Sequence, residues 1–319
     1  MEIEAATATV ELDAQYRALR EQAGILPRTG RRILSLSGSE AAEFLQGQLT
    51  SDVDALAPGA GQYSALLDRK GHMQADLRAL RLGADEIILD TEGPAGDAVL
   101  RHLSIYKVGR EVEVTDISAE RTILSLIGPA AGHVAAAGPI GHEHAHREVE
   151  IAGRKVLLIA TDVGLDLLVD PTEVEAVTIT LAAAGAERVS EAAAEIVRVE
   201  RGRPRFGAEM TTATMPAEAG IEERAVSFTK GCYIGQETVA RLHYKGRPNR
   251  HLRGLRLAAP ADAGEPVMLG EREVGTVGTA VVSPAHGAIA LAILRREAEP
   301  GASVLVGASG TAVVVEPPF

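Results

Sequence analysis

The sequence predicts an α+β protein that ends in a small antiparallel β-barrel. Helix and strand patterns alternate along the first 247 residues, and several of the strands follow one another as hairpins. After residue 250 the chain changes to short strand patterns separated by turns rich in Gly and Pro, which is typical of a barrel or sandwich. A chain of 319 residues is too long for one small core, so we expect more than one packed unit.

Two helix patterns and one strand pattern open the chain. Apolar residues share one face of 14–23, Gly24 is suited to end that helix, and residues 33–36 form a short β-type run. A second helix is predicted over 40–49, with Ser39 as its N-cap and acidic residues in its first turn. The chain therefore enters its β-rich part near residue 62.

Strand patterns dominate from that point. In the first 247 residues we predict strands at 63–67, 75–82, 86–89, 111–114, 123–127, 156–160 and 165–169. Helices are predicted at 94–103, 171–184, 191–201 and 235–244. The barrel strands are predicted at 252–257, 266–269, 273–282, 288–294, 304–306 and 311–315.

Composition excludes several classes of protein. Lys and Arg number 32 against 44 Asp and Glu, and the net charge of −12 makes direct binding to nucleic acid unexpected. No run of about 18 apolar residues offers a membrane span, and the acidic N-terminus lacks a secretory pattern, so we expect a cytoplasmic protein. A single cysteine, Cys232, excludes a disulfide within the chain and an all-cysteine zinc site.

The octapeptide Lys-Gly-Cys-Tyr-Ile-Gly-Gln-Glu at 230–237 is the strongest candidate for chemistry. Its two glycines allow tight turns on both sides of Cys232, just before a predicted helix. The N-terminus of that helix and the charge of Lys230 would both favour a thiolate. On the residues alone, a small buried cysteine in a turn is the more common interpretation of such a position.

Three further segments carry candidates of lower specificity. In 198–207, Glu200 lies in the last turn of a predicted helix, where a carboxylate opposes the helix dipole, although a surface glutamate is the simpler interpretation. Asp76 follows a glycine turn and starts an alternating strand. The three histidines of 142–146 have period-two spacing that suits a metal, but we expect an exposed loop there and no metal site.

The octapeptide closely resembles the signature of the YgfZ-type folate-binding proteins. These are relatives of the glycine-cleavage aminomethyltransferase, or T-protein, and are involved in iron–sulfur protein maturation. Residues 44–53, 70–77 and 198–209 resemble further segments of the same family in the same order. The resemblance thus extends over most of the chain and includes the C-terminal barrel.

This resemblance implies three lobes around a cavity for tetrahydrofolate or a one-carbon derivative. Two interleaved lobes would comprise 1–51 plus 118–247, and 52–117, with the barrel at 248–319. The resemblance assigns Glu200 to holding the pterin ring. It assigns catalytic roles to Cys232, Lys230 and Asp76, and it implies that Arg198, Tyr63 and Asp76 also contact the folate. Lys107 or Arg110 would meet the negatively charged tail.

One departure from the aminomethyltransferase pattern leaves the function open. Those enzymes carry paired aspartates after the glycine turn, whereas this chain has Ala75 and Asp76. We expect a folate-binding auxiliary protein for assembly or repair of iron–sulfur enzymes, with client or assembly proteins as partners and any effect on tRNA modification indirect. A tetrahydrofolate-dependent aminomethyltransferase or demethylase, which would need Asp76 but not Cys232, and a scaffold with a vestigial cavity are the alternatives.

Overall fold

The computed structural model describes residues 2–307 and 310–319, with side chains from residue 10 onward. In this part of the chain the helices α1–α8 are, in order, Glu2–Glu21, Ala41–Gln48, Gly93–Tyr106, Ala131–Val134, Val174–Ala183, Glu191–Glu200, Glu222–Ala225 and Gln236–Lys245. A short 3₁₀ turn at Pro171–Glu173 leads into α5. No helix among the described residues is both long and apolar enough to cross a membrane.

The strands β1–β17 form two sheets and a barrel. In chain order they are Gly24–Arg28, Arg31–Ser37, Gly61–Leu67, Met73–Arg81, Glu86–Glu92, Glu113–Asp116, Thr122–Ile127, His146–Ile151, Arg154–Thr161, Gly164–Val169, Glu187–Arg188, Arg250–Leu257, Pro266–Leu269, Arg272–Ser283, Gly287–Arg295, Ser303–Val306 and Gly310–Val315. The first sheet has the order β11-β1-β7-β10-β9-β8, and the second has the order β3-β4-β5-β2-β6. Each sheet is mostly antiparallel, as the hairpin patterns predicted.

The two sheets are interleaved along the chain. The first sheet takes β1 from the N-terminus and its other strands from residue 122 onward, while the second sheet takes β2 to β6. The chain therefore passes between sheets after Arg28 and again after Asp116. The first of these crossings lies well before residue 51, where the lobe limit was predicted.

The C-terminal region is a closed barrel with the strand order β12-β15-β14-β13-β16-β17. All six predicted strands are present, and inward positions such as Val267, Leu294 and Val314 are fully or nearly fully buried in its core. Together with the two mainly antiparallel sheets and their helices, the barrel confirms the predicted α+β fold with a C-terminal antiparallel barrel.

Three local features differ from the sequence predictions. Helix α1 begins at Glu2 rather than near residue 14. Strand β1 was missed because Pro27 favoured the end of a helix, yet Pro27 lies within the strand, opposite Leu124. The N-cap of α2 is Glu40 without a side-chain cap, because the Ser39 hydroxyl donates to Glu111 instead.

Buried ion pairs join the two sheets and fix the space between them. Arg78 of β4 donates at 2.5–2.7 Å to Asp90 in its own sheet, and at 2.6 Å to Asp166 in the first sheet. Asp166 also accepts a hydrogen bond from Ser125 on the neighbouring strand. Arg78, Ser125 and Asp166 line a cavity between the two sheets.

Candidate functional site

A cavity of about 540 Å³ lies between the two sheets and helix α6. Its size is within the ordinary range for small-molecule sites. Three side chains of the second sheet face this cavity, namely Tyr63, Asp76 and Arg78. Tyr63 of β3 lies directly opposite Arg78 of β4, and Asp76 is two residues before Arg78 on the same strand. The register of the hairpin thus places these three side chains on one face.

Tyr63 and Asp76, both predicted as folate contacts, form a hydrogen-bonded pair in this cavity. The Tyr63 hydroxyl donates to Asp76 Oδ2 at 2.8 Å, and the second oxygen, Oδ1, is buried without a hydrogen-bond partner. Burial raises the pKa of Asp76 to about 6, although the Tyr63 hydrogen bond lowers it. Asp76 thus offers one free carboxyl oxygen to the cavity.

The other acidic side chains of the cavity are paired with arginines. Arg224 binds Glu143 at 2.6 Å, and Asp162 lies 3.2 Å from Arg201 and 2.7 Å from Arg203. The remaining pairs are Arg31 with Glu92, Arg78 with Asp166, Arg28 with Glu191, and Arg205 with Glu92, Glu191 and Glu195. The cavity is therefore highly charged but internally neutralised.

Arg198, predicted to contact the folate, lines the cavity, but its donors bind other protein groups. Its guanidinium binds Glu195 at 2.9 Å, Glu209 at 3.0 Å and the Thr279 hydroxyl of the barrel at 2.7 Å. These charged partners raise the pKa of Arg198 further above its ordinary value, against the opposing effect of burial. Its geometry fits a residue that ties α6 to the barrel and positions Glu195, which also lines the cavity.

Glu200, predicted to hold the pterin ring, is not among the residues that line the cavity. Its carboxylate is buried and points toward α1 and the barrel, where Oε1 accepts from Tyr16 at 2.8 Å and from Ser283 at 2.5 Å. Arg20 lies 3.7 Å from the other oxygen. Glu200 occupies a junction between α1, α6 and the barrel.

Cys232 and Lys230 lie outside the cavity lining. Cys232 is exposed, whereas the Lys230 ammonium is buried and donates at 2.6–2.7 Å to the carbonyls of Gln46, Leu49 and Ser51. Burial lowers the pKa of Lys230 to about 8. All three ammonium donors bind carbonyls at or just after the end of α2. Lys230 therefore attaches the octapeptide to α2, while the thiol of Cys232 faces outward.

The two glycines of the octapeptide have different roles. Gly235 has φ +86° at the N-cap of α8, and a Cβ there would meet the Asp68 carbonyl at 2.5 Å. Gly231 has open space around it and is not in the left-handed region. The tight turn predicted at Gly235 is present, and it seats the start of α8 against the turn between β3 and β4.

Lys107 and Arg110, predicted at the cavity mouth, are not among the residues that line it. Arg110 pairs instead with Glu40 and Glu43 at the start of α2. The basic groups of the cavity are arginines. Arg203 and Arg205 belong to the segment 198–207, whereas Arg28 of β1 and Arg31 of β2 come to the same cavity from the N-terminal part of the chain.

The histidine segment is not the exposed loop that was expected. His142 is exposed, but His144 and His146 are buried, and the two ring nitrogens of His146 lie 3.1 Å from the His144 carbonyl and 3.0 Å from the Arg81 carbonyl. His144 lines the cavity. Among the described residues, no three His, Cys, Asp or Glu side chains come together as a metal site.

Comparisons with known proteins define the class. Residues 5–230 match the GCVT N-terminal domain, and residues 250–319 match the glycine cleavage T-protein C-terminal barrel domain. The chain belongs to the glycine cleavage T-protein family.

Relatives and a solved structure agree with this assignment. The chain is 29% identical to an aminomethyltransferase from Saccharopolyspora erythraea over 95% of this chain and 87% of that protein. It is 28% identical to an uncharacterized protein of Haemophilus influenzae over 70% of this chain and 69% of that one. The crystal structure of aminomethyltransferase T from Bartonella henselae matches with a TM-score of 0.85 at 23% identity, over 97% of this chain and 89% of that one, which shows the same fold.

Proposed function

We propose that the cavity binds tetrahydrofolate or a one-carbon derivative, and that the protein is an auxiliary factor for assembly or repair of iron–sulfur enzymes. The observation that carries the folate part is the free Oδ1 of Asp76, in a cavity where the other charged side chains pair with one another. A buried acceptor without a partner calls for a ligand donor. The membership of the chain in the T-protein family supports the same ligand.

The cavity residues fit a reduced pterin. A flat heterocycle with N–H groups can donate to Asp76, which Tyr63 holds in place and which is mostly ionised at neutral pH because its pKa is about 6. Arg201, whose Nε is buried without a partner, suits a carboxylate of the tail. When bound, tetrahydrofolate would supply N5 of the ring and N10 of the linker, the two nitrogens that carry one-carbon units.

Cys232 supports the auxiliary role. A thiol on the outer surface is accessible to a partner protein, and its octapeptide resembles the signature of the YgfZ-type proteins. Because iron–sulfur clusters usually need four protein ligands, a single thiolate would act together with ligands from a client or assembly protein. The replacement of the first paired aspartate by Ala75 leaves one acid and disfavours aminomethyl transfer.

Calorimetric titration with tetrahydrofolate tests the cavity. We expect binding by the wild type and at least about tenfold weaker binding by Asp76→Ala, because a ligand hydrogen bond to a charged group is lost. Asp85→Ala, in the exposed turn that follows β4, is the matched control and should bind as the wild type does. The absence of binding by the wild type would refute the folate proposal.

Rescue of an iron–sulfur enzyme tests the auxiliary role. In cells that lack the protein, we expect the wild type to restore that enzyme's activity and Cys232→Ser to fail at equal abundance. Full rescue by Cys232→Ser would contradict a role for the thiol.

The second candidate is an aminomethyltransferase or demethylase, favoured by the free Asp76 oxygen and by relatives named aminomethyltransferase. It predicts formation of methylenetetrahydrofolate from an aminomethyl-lipoyl carrier, at a rate that Asp76→Asn abolishes and Cys232→Ser leaves unchanged.

A further inference from the structure

The imidazole of His144 is a buried polar group that lines the cavity without any protein partner. The residue is 7% exposed, and neither Nδ1 nor Nε2 has a hydrogen-bond partner. The nearest acid oxygen, Oε1 of Glu143, is 3.6 Å from Nε2 and already accepts from Arg224 at 2.6 Å. Buried side-chain polar atoms are nearly always hydrogen-bonded, so two free nitrogens on one ring call for an explanation.

The backbone holds this ring in place at a conformational cost. His144 has φ +69°, which is uncommon for a residue with a side chain. Its amide donates to the carbonyl of Ala160, and its own carbonyl lies 3.1 Å from Nδ1 of His146. Close packing against Gly61, where an added Cβ would lie 2.8 Å from the His144 carbonyl oxygen, leaves the segment little freedom. The strained residue is therefore fixed from several sides.

The surroundings keep the ring uncharged. Burial and the nearby cations Arg78 and Arg224 lower the pKa of His144 to about 3, against the opposite effect of Asp166 and Asp162. A neutral imidazole has one N–H donor and one acceptor nitrogen. The cavity thus presents a donor and an acceptor on one flat ring, together with the free oxygen of Asp76.

We propose that His144 is a ligand-contacting residue that makes one hydrogen bond, as donor or as acceptor, with a heteroatom of an uncharged heterocycle in the cavity. This inference rests on the proposed folate function, in which the heterocycle is the pterin ring. The tautomer of the imidazole adapts to the order of donors and acceptors on the ligand, because either ring nitrogen can carry the proton. His144 can therefore pair with either a donor or an acceptor nitrogen of the ligand ring.

Two variants distinguish a ligand-contacting role of His144 from a purely structural one. His144→Gly removes the ring and accepts the left-handed backbone without strain, whereas His144→Asn also tolerates that backbone and keeps one donor and one acceptor. His142→Gly, two residues away and exposed, is the matched control. Each is titrated with tetrahydrofolate and with oxidised folate by calorimetry, and the ¹⁵N resonances of the His144 ring are followed in the wild type.

We expect His144→Gly to bind tetrahydrofolate roughly tenfold more weakly, since a buried hydrogen bond to the ligand is lost. His144→Asn should recover part of this affinity, and His142→Gly should match the wild type. His144→Gly should lose affinity for both reduced and oxidised folate, because the adaptable tautomer pairs with either ring, and the ¹⁵N resonances of the His144 ring should shift when the wild type binds.

Equal affinity of His144→Gly and the wild type, or ring resonances that do not move when ligand binds, would overturn the role of His144 and leave the folate proposal standing. Failure of the wild type itself to bind would overturn the proposed function and this inference together.

Discussion

The central cavity and the octapeptide at 230–237 use charge in opposite ways. In the cavity, paired arginines and carboxylates neutralise one another and leave Asp76 and His144 with free hydrogen-bonding atoms. In the octapeptide, the Lys230 ammonium donates to three backbone carbonyls, and the thiol of Cys232 is exposed. A ligand site and an outward-facing thiol are thus built on separate surfaces, and the two can be changed independently.

The largest effect on stability is expected from a substitution of Arg78, which lies in the wall of the cavity. Arg78→Met should lower the free energy of unfolding by about 3–5 kcal/mol, because Asp90 and Asp166 lose their buried cation. Chemical denaturation measures this loss. Arg256→Met, an arginine on the outer side of barrel strand β12, is the control and should change stability little. A loss below about 1 kcal/mol for Arg78→Met would show that the two sheets do not depend on this link.

Lys230→Met should lower the stability of the protein without changing its affinity for tetrahydrofolate, because Lys230 does not line the cavity. We expect the free energy of unfolding to fall by about 2–3 kcal/mol, because three buried carbonyls lose their shared donor. Cys232→Ser, at an exposed position in the same segment, should leave the melting temperature unchanged. If Lys230→Met were as stable as the wild type but inactive in rescue, Lys230 would have a chemical role beside the thiol.

Glu200→Ala distinguishes the predicted pterin contact from the observed junction. The hydroxyls of Tyr16 and Ser283 lose their acceptor, so we expect about 2 kcal/mol of destabilisation with unchanged affinity for tetrahydrofolate. Thermal denaturation and calorimetry on the same sample provide both values. If Glu200→Ala bound tetrahydrofolate much more weakly but were as stable as the wild type, Glu200 would be a ligand contact after all.

The effect of Asp76→Asn on stability depends on pH. Burial raises the pKa of Asp76 to about 6 from 3.8, so the folded state binds the proton more tightly than the unfolded state. The stability from this group is therefore present below pH 3.8 and lost as the pH rises to about 6. Relative to the wild type, Asp76→Asn should become more stable between pH 4 and 6 and show no further change above. A constant difference across this range would contradict the raised pKa.

The sequence predicted the fold better than the site. Periodicity and turn residues located most strands, because a half-buried strand shows its alternation locally. The cavity depends on which distant strands become neighbours, and nothing local to Arg28 or His144 reveals that they share one space. Glu200 illustrates the same limit, since its motif is local but its orientation is set by Tyr16 and Ser283 from two other regions.

The separation of the two surfaces is tested most directly by titrating 5-formyltetrahydrofolate, a stable one-carbon derivative, into native and maleimide-capped protein. The chain has one cysteine, so the cap marks Cys232 alone. We predict one binding site and the same dissociation constant, within about twofold, for both forms, because the thiol does not line the cavity. Binding by the native form alone would contradict the separation, and binding by neither would contradict the folate cavity itself.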